Sequence, residues 1–201
     1  NTTARLSLAE LHLRQGNASE AVRVLREGLQ RYTPDNPMLL QGLSQALLAA
    51  GQSDEAQAAV DRLVALAPGA PAAWGRWATV MQARGQLDQA IEKVRALAPS
   101  QGDNPAFDLL LAELLLQAGR YDEAAAAARQ VITRSSEAAA GYAMLAEVLV
   151  QQAGRTGNPP LAEAARQADD ILAEGIRKVS QPASLQQKRI ELYMRTGQPA
   201  R

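Results

Sequence analysis

Small and apolar residues recur along the chain at fixed distances from four glycines, Gly16, Gly51, Gly85 and Gly119. The intervals between these glycines are 35, 34 and 34 residues. A small residue stands seven places before each glycine, an alanine five places after it, and a further apolar residue nine places after it. In that order these are Ala9, Ser44, Ala78 and Ala112; Ala21, Ala56, Ala90 and Ala124; and Leu25, Val60, Val94 and Ala128. A repeat of this length predicts stacked pairs of antiparallel helices.

Each of these glycines is predicted to end the first helix of a pair. A left-handed residue at that point satisfies the last helical carbonyls, and glycine adopts the conformation without steric cost. A short polar residue follows two or three places later, where we expect it to cap the second helix. These residues are Ser19, Ser53, Asp88 and Asp122.

The repeat predicts about eleven helices in a single array over residues 1–201. The units span about 3–36, 37–70, 71–104, 105–138 and 139–181, with a partial unit at 182–201. In the first four units the expected helices are 3–15 and 19–32, 37–50 and 53–66, 71–84 and 87–97, and 105–118 and 121–134. The fifth unit has an insertion at 156–160, which predicts a protruding loop between a longer first helix and a second helix at 160–179. A last helix is expected at 182–196.

The spacing of small residues, glycine and alanine resembles that of the tetratricopeptide repeat (TPR) family, in a bacterial style. The resemblance implies an all-α solenoid that acts as a non-catalytic protein-binding scaffold, with the first helices lining a concave groove. One departure is clear. The tryptophan that the family carries near the start of the first helix survives as Trp74 but is replaced elsewhere by Arg5, Leu40 and Asp108.

The resemblance places the groove positions ten, six and three residues before each glycine. The candidate residues for binding a peptide are Leu6, Glu10, Leu13, Gln41, Gln45, Leu48, Thr79, Gln82, Leu109, Glu113, Leu116 and Glu147. Glutamate occupies the middle position in four of six units, so we expect a mildly acidic groove for a peptide with some basic character. The alternative is that glutamate is there only as a solvated helix former. The carboxylate clamp of co-chaperone TPR proteins is not expected, because its basic positions hold residues such as Leu6 and Thr79.

The composition argues against several classes of function. The net charge is zero and only 3% of residues are aromatic, which argues against nucleic-acid binding through phosphates or stacking platforms. There is no cysteine and no apolar run long enough to span a bilayer. The chain begins just ahead of a repeat and ends where another helix is due, so we expect it to be a piece of a longer protein.

The sequence offers few candidate residues for catalysis or metal binding, and we predict no catalytic residue, metal or cofactor. His12 is the only histidine and aligns with Leu47, Met81 and Leu115, which favours a packed structural role. Trp74 and Trp77 lie three residues apart, a spacing typical of core positions. The glycines at 154 and 157 lack the lysine and the spacing of a phosphate loop.

The resemblance leaves three functions open. The first is a scaffold in a bacterial assembly of the envelope or polysaccharide-export type, because the Ala/Arg/Gln-rich composition of this chain is similar to that of TPR scaffolds in such assemblies. The second is a regulatory or sensor segment of a multidomain protein. The third is an assembly factor of the cytochrome c maturation type, in which a similar insertion occurs. We expect a periplasmic or cytoplasmic location, with the envelope favoured.

Overall fold

The computed structural model describes residues 1–31, 34–101 and 104–197. These residues form eleven α-helices and one short 3₁₀-helix, Ala98–Gln101, and none of them forms a strand. The helices are α1 Thr2–Arg14, α2 Ala18–Arg31, α3 Pro37–Ala49, α4 Ser53–Leu66, α5 Pro71–Ala83, α6 Leu87–Leu97, α7 Ala106–Gln117, α8 Tyr121–Arg134, α9 Ala139–Thr156, α10 Leu161–Lys178 and α11 Ala183–Thr196. The predicted all-α fold is confirmed, and the helix bounds agree with the prediction to within two residues. The predicted end of α2 at residue 32 lies outside the described residues.

The same turn follows the first helix in each of the first four pairs. Gly16, Gly51, Gly85 and Gly119 all have φ between 73° and 77°, as predicted. The amide of the next residue donates to the carbonyl five residues earlier, for example from Asn17 to His12 O at 2.8 Å. This bond is the mark of a Schellman motif. It satisfies the helix end with backbone groups alone and leads directly into the second helix.

The predicted polar caps of the second helices are wrong. In α4 the N-cap is Gln52 and in α8 it is Arg120, and neither side chain makes a capping hydrogen bond. Ser53 and Asp122 lie inside the first turn instead, because the Schellman turn leaves a single residue between the glycine and the helix. A carboxylate in the first turn, such as that of Asp122, still lies near the positive end of the helix dipole.

The chain divides into two compact units, 1–90 and 91–201. In the first unit α1 packs on α2, α2 on α3, α3 on α4 and α4 on α5. The small residues of the repeat lie where helices approach closely: Ala21 and Ala56 have no exposed surface, and Ala9 is 3% exposed. Isolated helices of 13 or 14 residues are marginal in water, so this packing supplies most of their stability.

The second unit repeats the arrangement with α7 to α11, each packed on the next. Its first pair matches the standard repeat, whereas α9 and α10 are both 18 residues long. The longer first helix predicted for the fifth pair is confirmed. Gly154, which aligns with the turn glycines, lies inside α9, and the left-handed residue that ends this helix is Gly157, with φ of 70°.

A buried carboxylate attaches α11 to α10. Asp169 on α10 is 6% exposed and accepts two hydrogen bonds from Arg189, at 2.5 and 3.0 Å, and one from Tyr193 at 2.6 Å. The contact with Asp169 raises the pKa of the Arg189 guanidinium further above its already high value. Other pairs hold an apolar residue at the position of Arg189. Here the arginine is accommodated because it pairs with Asp169.

Candidate binding groove

The first helices of successive pairs are neighbours within each unit. In the first unit α3 contacts both α1 and α5, and in the second α9 contacts both α7 and α11. The candidate residues predicted from the sequence therefore lie on helices that adjoin one another. We call the face formed by their positions the groove face of each unit.

In the first unit the structure brings four candidates together around one cavity of about 200 Å³. Leu6, Glu10 and Leu13 line it from α1, and Gln45 lines it from α3. The floor includes Leu25, which is fully buried. Glu10 accepts a hydrogen bond of 2.6 Å from Arg14 one turn later, which offsets its charge. The lining therefore combines leucines with Gln45 and with a glutamate whose charge is offset.

The remaining candidates of the first unit lie outside that cavity. Gln41 on α3 and Thr79 and Gln82 on α5 are exposed, and Leu48 is half-buried. The hydroxyl of Thr79 donates to its own helix, at Gly75 O and 2.9 Å. The three polar positions are open to solvent and carry no charge of their own.

In the second unit Glu113 is the candidate with the most distinctive environment. It is itself exposed on α7 and lies between Leu109 and Leu116, which are both half-buried. Partial desolvation raises the pKa of the Glu113 carboxyl above its usual value. No arginine or lysine among the described residues forms a salt bridge with it, so its charge remains available to a ligand.

Glu147, the corresponding residue of α9, is neutralised. Arg195 of α11 donates to its carboxylate at 2.8 Å and Gln151 donates at 2.7 Å. Desolvation by burial acts to raise the pKa of Glu147, but these hydrogen bonds and the charges of Arg195 and Lys188 outweigh it, so the pKa lies below its usual value. The sequence did not reveal this pairing because Arg195 is 48 residues away.

Near α11 the glutamates of the groove face are paired with basic residues, whereas the sequence predicted an acidic groove. Lys188 donates to Glu191 at 2.8 Å, which pairs the last of the four glutamates. A cavity of about 390 Å³ beside this cluster is lined by Arg155 and Arg195. Of the four glutamates only Glu113 therefore keeps an unpaired charge among the described residues.

The aromatic and histidine residues singled out in the sequence occupy packed positions. Trp74 is buried and meets the half-buried Trp77 edge to face, with ring centroids 5.6 Å apart. His12 is half-buried, and its Nδ1 atom has no hydrogen-bond partner among the described residues. In the described part of the chain no three acidic, histidine or cysteine side chains gather as they would around a metal ion. None of the described helices is both long and apolar enough to cross a bilayer.

Family models for the tetratricopeptide repeat match residues 5–137 and, separately, residues 109–176. The first match covers well over half of the chain. No curated protein sequence matches significantly.

Solved structures of TPR proteins share the fold. A thermophilic TPR protein of Thermus thermophilus, TTC0263, is 16% identical, with a TM-score of 0.58, and the match covers 96% of this chain and 100% of that one. A tetratricopeptide repeat protein of Parabacteroides merdae is 16% identical, with a TM-score of 0.60, over 98% of this chain and 73% of the other. Human IFIT1, in a structure with m7Gppp-AAAA, is 15% identical, with a TM-score of 0.57, over 98% of this chain and 47% of that one.

Proposed function

Because the chain belongs to the tetratricopeptide repeat family, whose members are generally non-catalytic interaction scaffolds, we propose that it binds a protein segment on the groove face of the second unit, at Glu113. The observation that carries this proposal is the Glu113 carboxylate, which is exposed on α7 between two half-buried leucines and forms no salt bridge with a described residue. An exposed charge without a partner in the chain adds little to stability, so it is open to a basic group of a ligand.

The surroundings of Glu113 define the chemistry of its ligand. A lysine or arginine side chain would pair with the carboxylate at the protein surface, where an ion pair is stronger than in bulk water. Leu109 and Leu116 lie one turn to either side and offer apolar contact. The ligand is therefore an extended or helical peptide segment with a basic residue flanked by apolar ones.

The proposal is tested by selecting displayed random peptides on the immobilised chain and measuring the enriched peptides by fluorescence anisotropy. We expect a basic residue beside an apolar one in the consensus. Glu113→Arg should weaken binding about tenfold or more, because it places like charges together. Glu113→Gln, which keeps the shape, should weaken binding to a smaller extent.

Glu137→Arg is the matched control, since Glu137 is exposed in the connection between α8 and α9. This variant should bind the peptides as the original chain does. A photoreactive group on the peptide should label Leu109 or Leu116. Undiminished binding by Glu113→Arg, or labelling only on other faces, would refute the location of the site.

We further propose that this scaffold works within a larger bacterial assembly of the envelope or polysaccharide-export type. The Ala/Arg/Gln-rich composition supports this context. A regulatory segment of a multidomain protein and a cytochrome c maturation factor are the alternatives, the latter supported by the insertion at 156–160. Cross-linking in cells, followed by identification of the proteins joined to Leu109 or Leu116, distinguishes these contexts.

A further inference from the structure

Glu113 and Glu147 hold the same position in neighbouring pairs of the second unit. The tripeptide Leu-Ala-Glu ends at Glu113 in α7 and again at Glu147 in α9, and these two helices contact each other. Helices in direct contact lie about 8–10 Å apart. A segment that crosses the groove face from α7 towards α11 therefore passes both carboxylates in turn.

The two carboxylates differ in the basic residue that meets Glu147. Arg195 of α11 donates from Nη1 to the Glu147 carboxylate at 2.8 Å, whereas Glu113 has no basic neighbour among the described residues. The corresponding turn of α9 carries Gln151 and Gln152, which have no charge. An arginine near the end of α11 therefore accounts for the difference between the two positions.

Arg195 is not the residue that attaches α11 to the rest of the unit. That helix is held by the two side chains that donate to Asp169 and by the buried Leu185 and Leu192. The side chain of Arg195 is 50% exposed and that of Glu147 is 29% exposed, and an ion pair so exposed adds little to stability. The contact therefore bears on what the groove face binds more than on the fold.

Lys188 completes a neutral cluster beside Glu147. It donates to Glu191 at 2.8 Å, so two carboxylates and two basic side chains lie together on this part of the groove face. A basic residue of a ligand that arrives at Glu147 gains no net attraction there, and it meets the guanidinium of Arg195 at close range. Like charges side by side are unfavourable in an interface.

We propose that Arg195 determines the specificity of the groove face, because it takes the place at Glu147 that a basic side chain of the ligand takes at Glu113. This inference rests on the proposed binding of a basic segment at Glu113. The ligand carries one basic residue for this unit, and a second one is disfavoured. An extended chain rises about 3.4 Å per residue, so the disfavoured position lies about three residues from the first, towards α11.

The test repeats the selection of displayed random peptides on the full chain, on Arg195→Ala and on Lys188→Ala. We expect one basic residue in the consensus of the original chain and two, about three positions apart, in that of Arg195→Ala. Peptides with two basic residues should bind Arg195→Ala about fivefold or more tightly than the original chain by fluorescence anisotropy, since an ion pair replaces a like-charge contact. Adding Glu147→Gln to this variant should remove the gain.

Lys188→Ala is the matched control, because it removes one positive charge from the same cluster and leaves Arg195 on Glu147. Its consensus should keep a single basic residue. An equal gain by both variants would show a general effect of charge and overturn the proposal, as would a single basic residue, or no enriched peptide, on Arg195→Ala. A gain that requires Glu147, together with binding that Glu113→Arg leaves unchanged, would refute the site at Glu113 and keep the role of Arg195.

A measurement without peptides checks that Arg195 acts on Glu147. Desolvation raises the pKa of the Glu147 carboxyl and the hydrogen bond and charge of Arg195 oppose it, so this pKa, followed by ¹³C chemical shift, should rise in Arg195→Ala and rise less in Lys188→Ala. An unchanged pKa would overturn the proposal. If the urea midpoint of Arg195→Ala shows that α11 has loosened, Arg195→Gln, which keeps more of the side chain, takes its place in both tests.

Discussion

The buried carboxylate of Asp169 accepts three hydrogen bonds from α11. Asp169→Ala leaves Arg189 and Tyr193 without this partner, and removing one member of a buried pair is strongly destabilising. We expect the free energy of unfolding to fall by about 3 kcal/mol, measured by urea denaturation. Asp170→Ala, at the exposed neighbouring position, should change it by less than about 0.5 kcal/mol. Equal effects of the two variants would show that the contact does not hold α11.

Glu113 predicts a specific dependence of stability on pH. Its folded-state pKa is raised by desolvation, so the fold favours the protonated form. The stability contributed by this group is present below the unfolded-state pKa of about 4.3 and is lost as pH rises through the folded value. Glu113→Gln should therefore raise the urea midpoint at pH 7 relative to the original chain, with a smaller gain at pH 4. A difference that does not change with pH would contradict the desolvation of this carboxyl.

At the scale of the helix, two glycines inside long helices should respond to alanine in opposite ways. A Cβ on Gly175 of α10 would lie 2.7 Å from Cγ of Tyr142 and 2.8 Å from a methyl of Leu185. The Tyr142 ring is buried and hydrogen-bonded, so it cannot move aside cheaply. The clash should exceed the gain in helix propensity, and Gly175→Ala should lose about 1–2 kcal/mol of stability.

Gly154 of α9 is the matched case, because a Cβ there meets no atom within 4 Å. Gly154→Ala should gain about 0.5–1 kcal/mol from propensity alone. Thermal unfolding of both variants measures the contrast. Stabilisation by both substitutions would mean that the contact between α10 and its neighbours is looser than the structure shows.

The helices themselves were predictable because the period and the left-handed glycines are local signals. What the sequence could not supply depends on contacts between distant residues. Glu147 was expected to make the groove acidic, but Arg195, 48 residues later in the sequence, pairs with its carboxylate. The predicted polar caps were wrong because the Schellman turn leaves only one residue between each glycine and the next helix, so the predicted capping residues lie inside that helix. Arg189 was visible as a departure from the repeat, but only the fold reveals that the carboxylate of Asp169 pairs with it.

At the scale of the whole molecule, stability should grow with the number of stacked pairs. Each pair exposes apolar faces that only its neighbours cover, as Val131 and Leu172 are covered in the second unit. A protein built this way behaves as a sum of weak repeats and favourable interfaces between them. A single pair is then insufficient to fold, and whether all the pairs form one array stays a prediction.

The most direct test is circular dichroism and urea denaturation of nested fragments, 105–138, 105–181 and 105–201, beside the full chain. The prediction is that 105–138 alone is mostly unfolded and that helicity per residue and the urea midpoint rise with each added pair. Fragment 105–138 folding on its own, with the midpoint of the full chain, would contradict a protein held together by the stacking of its repeats.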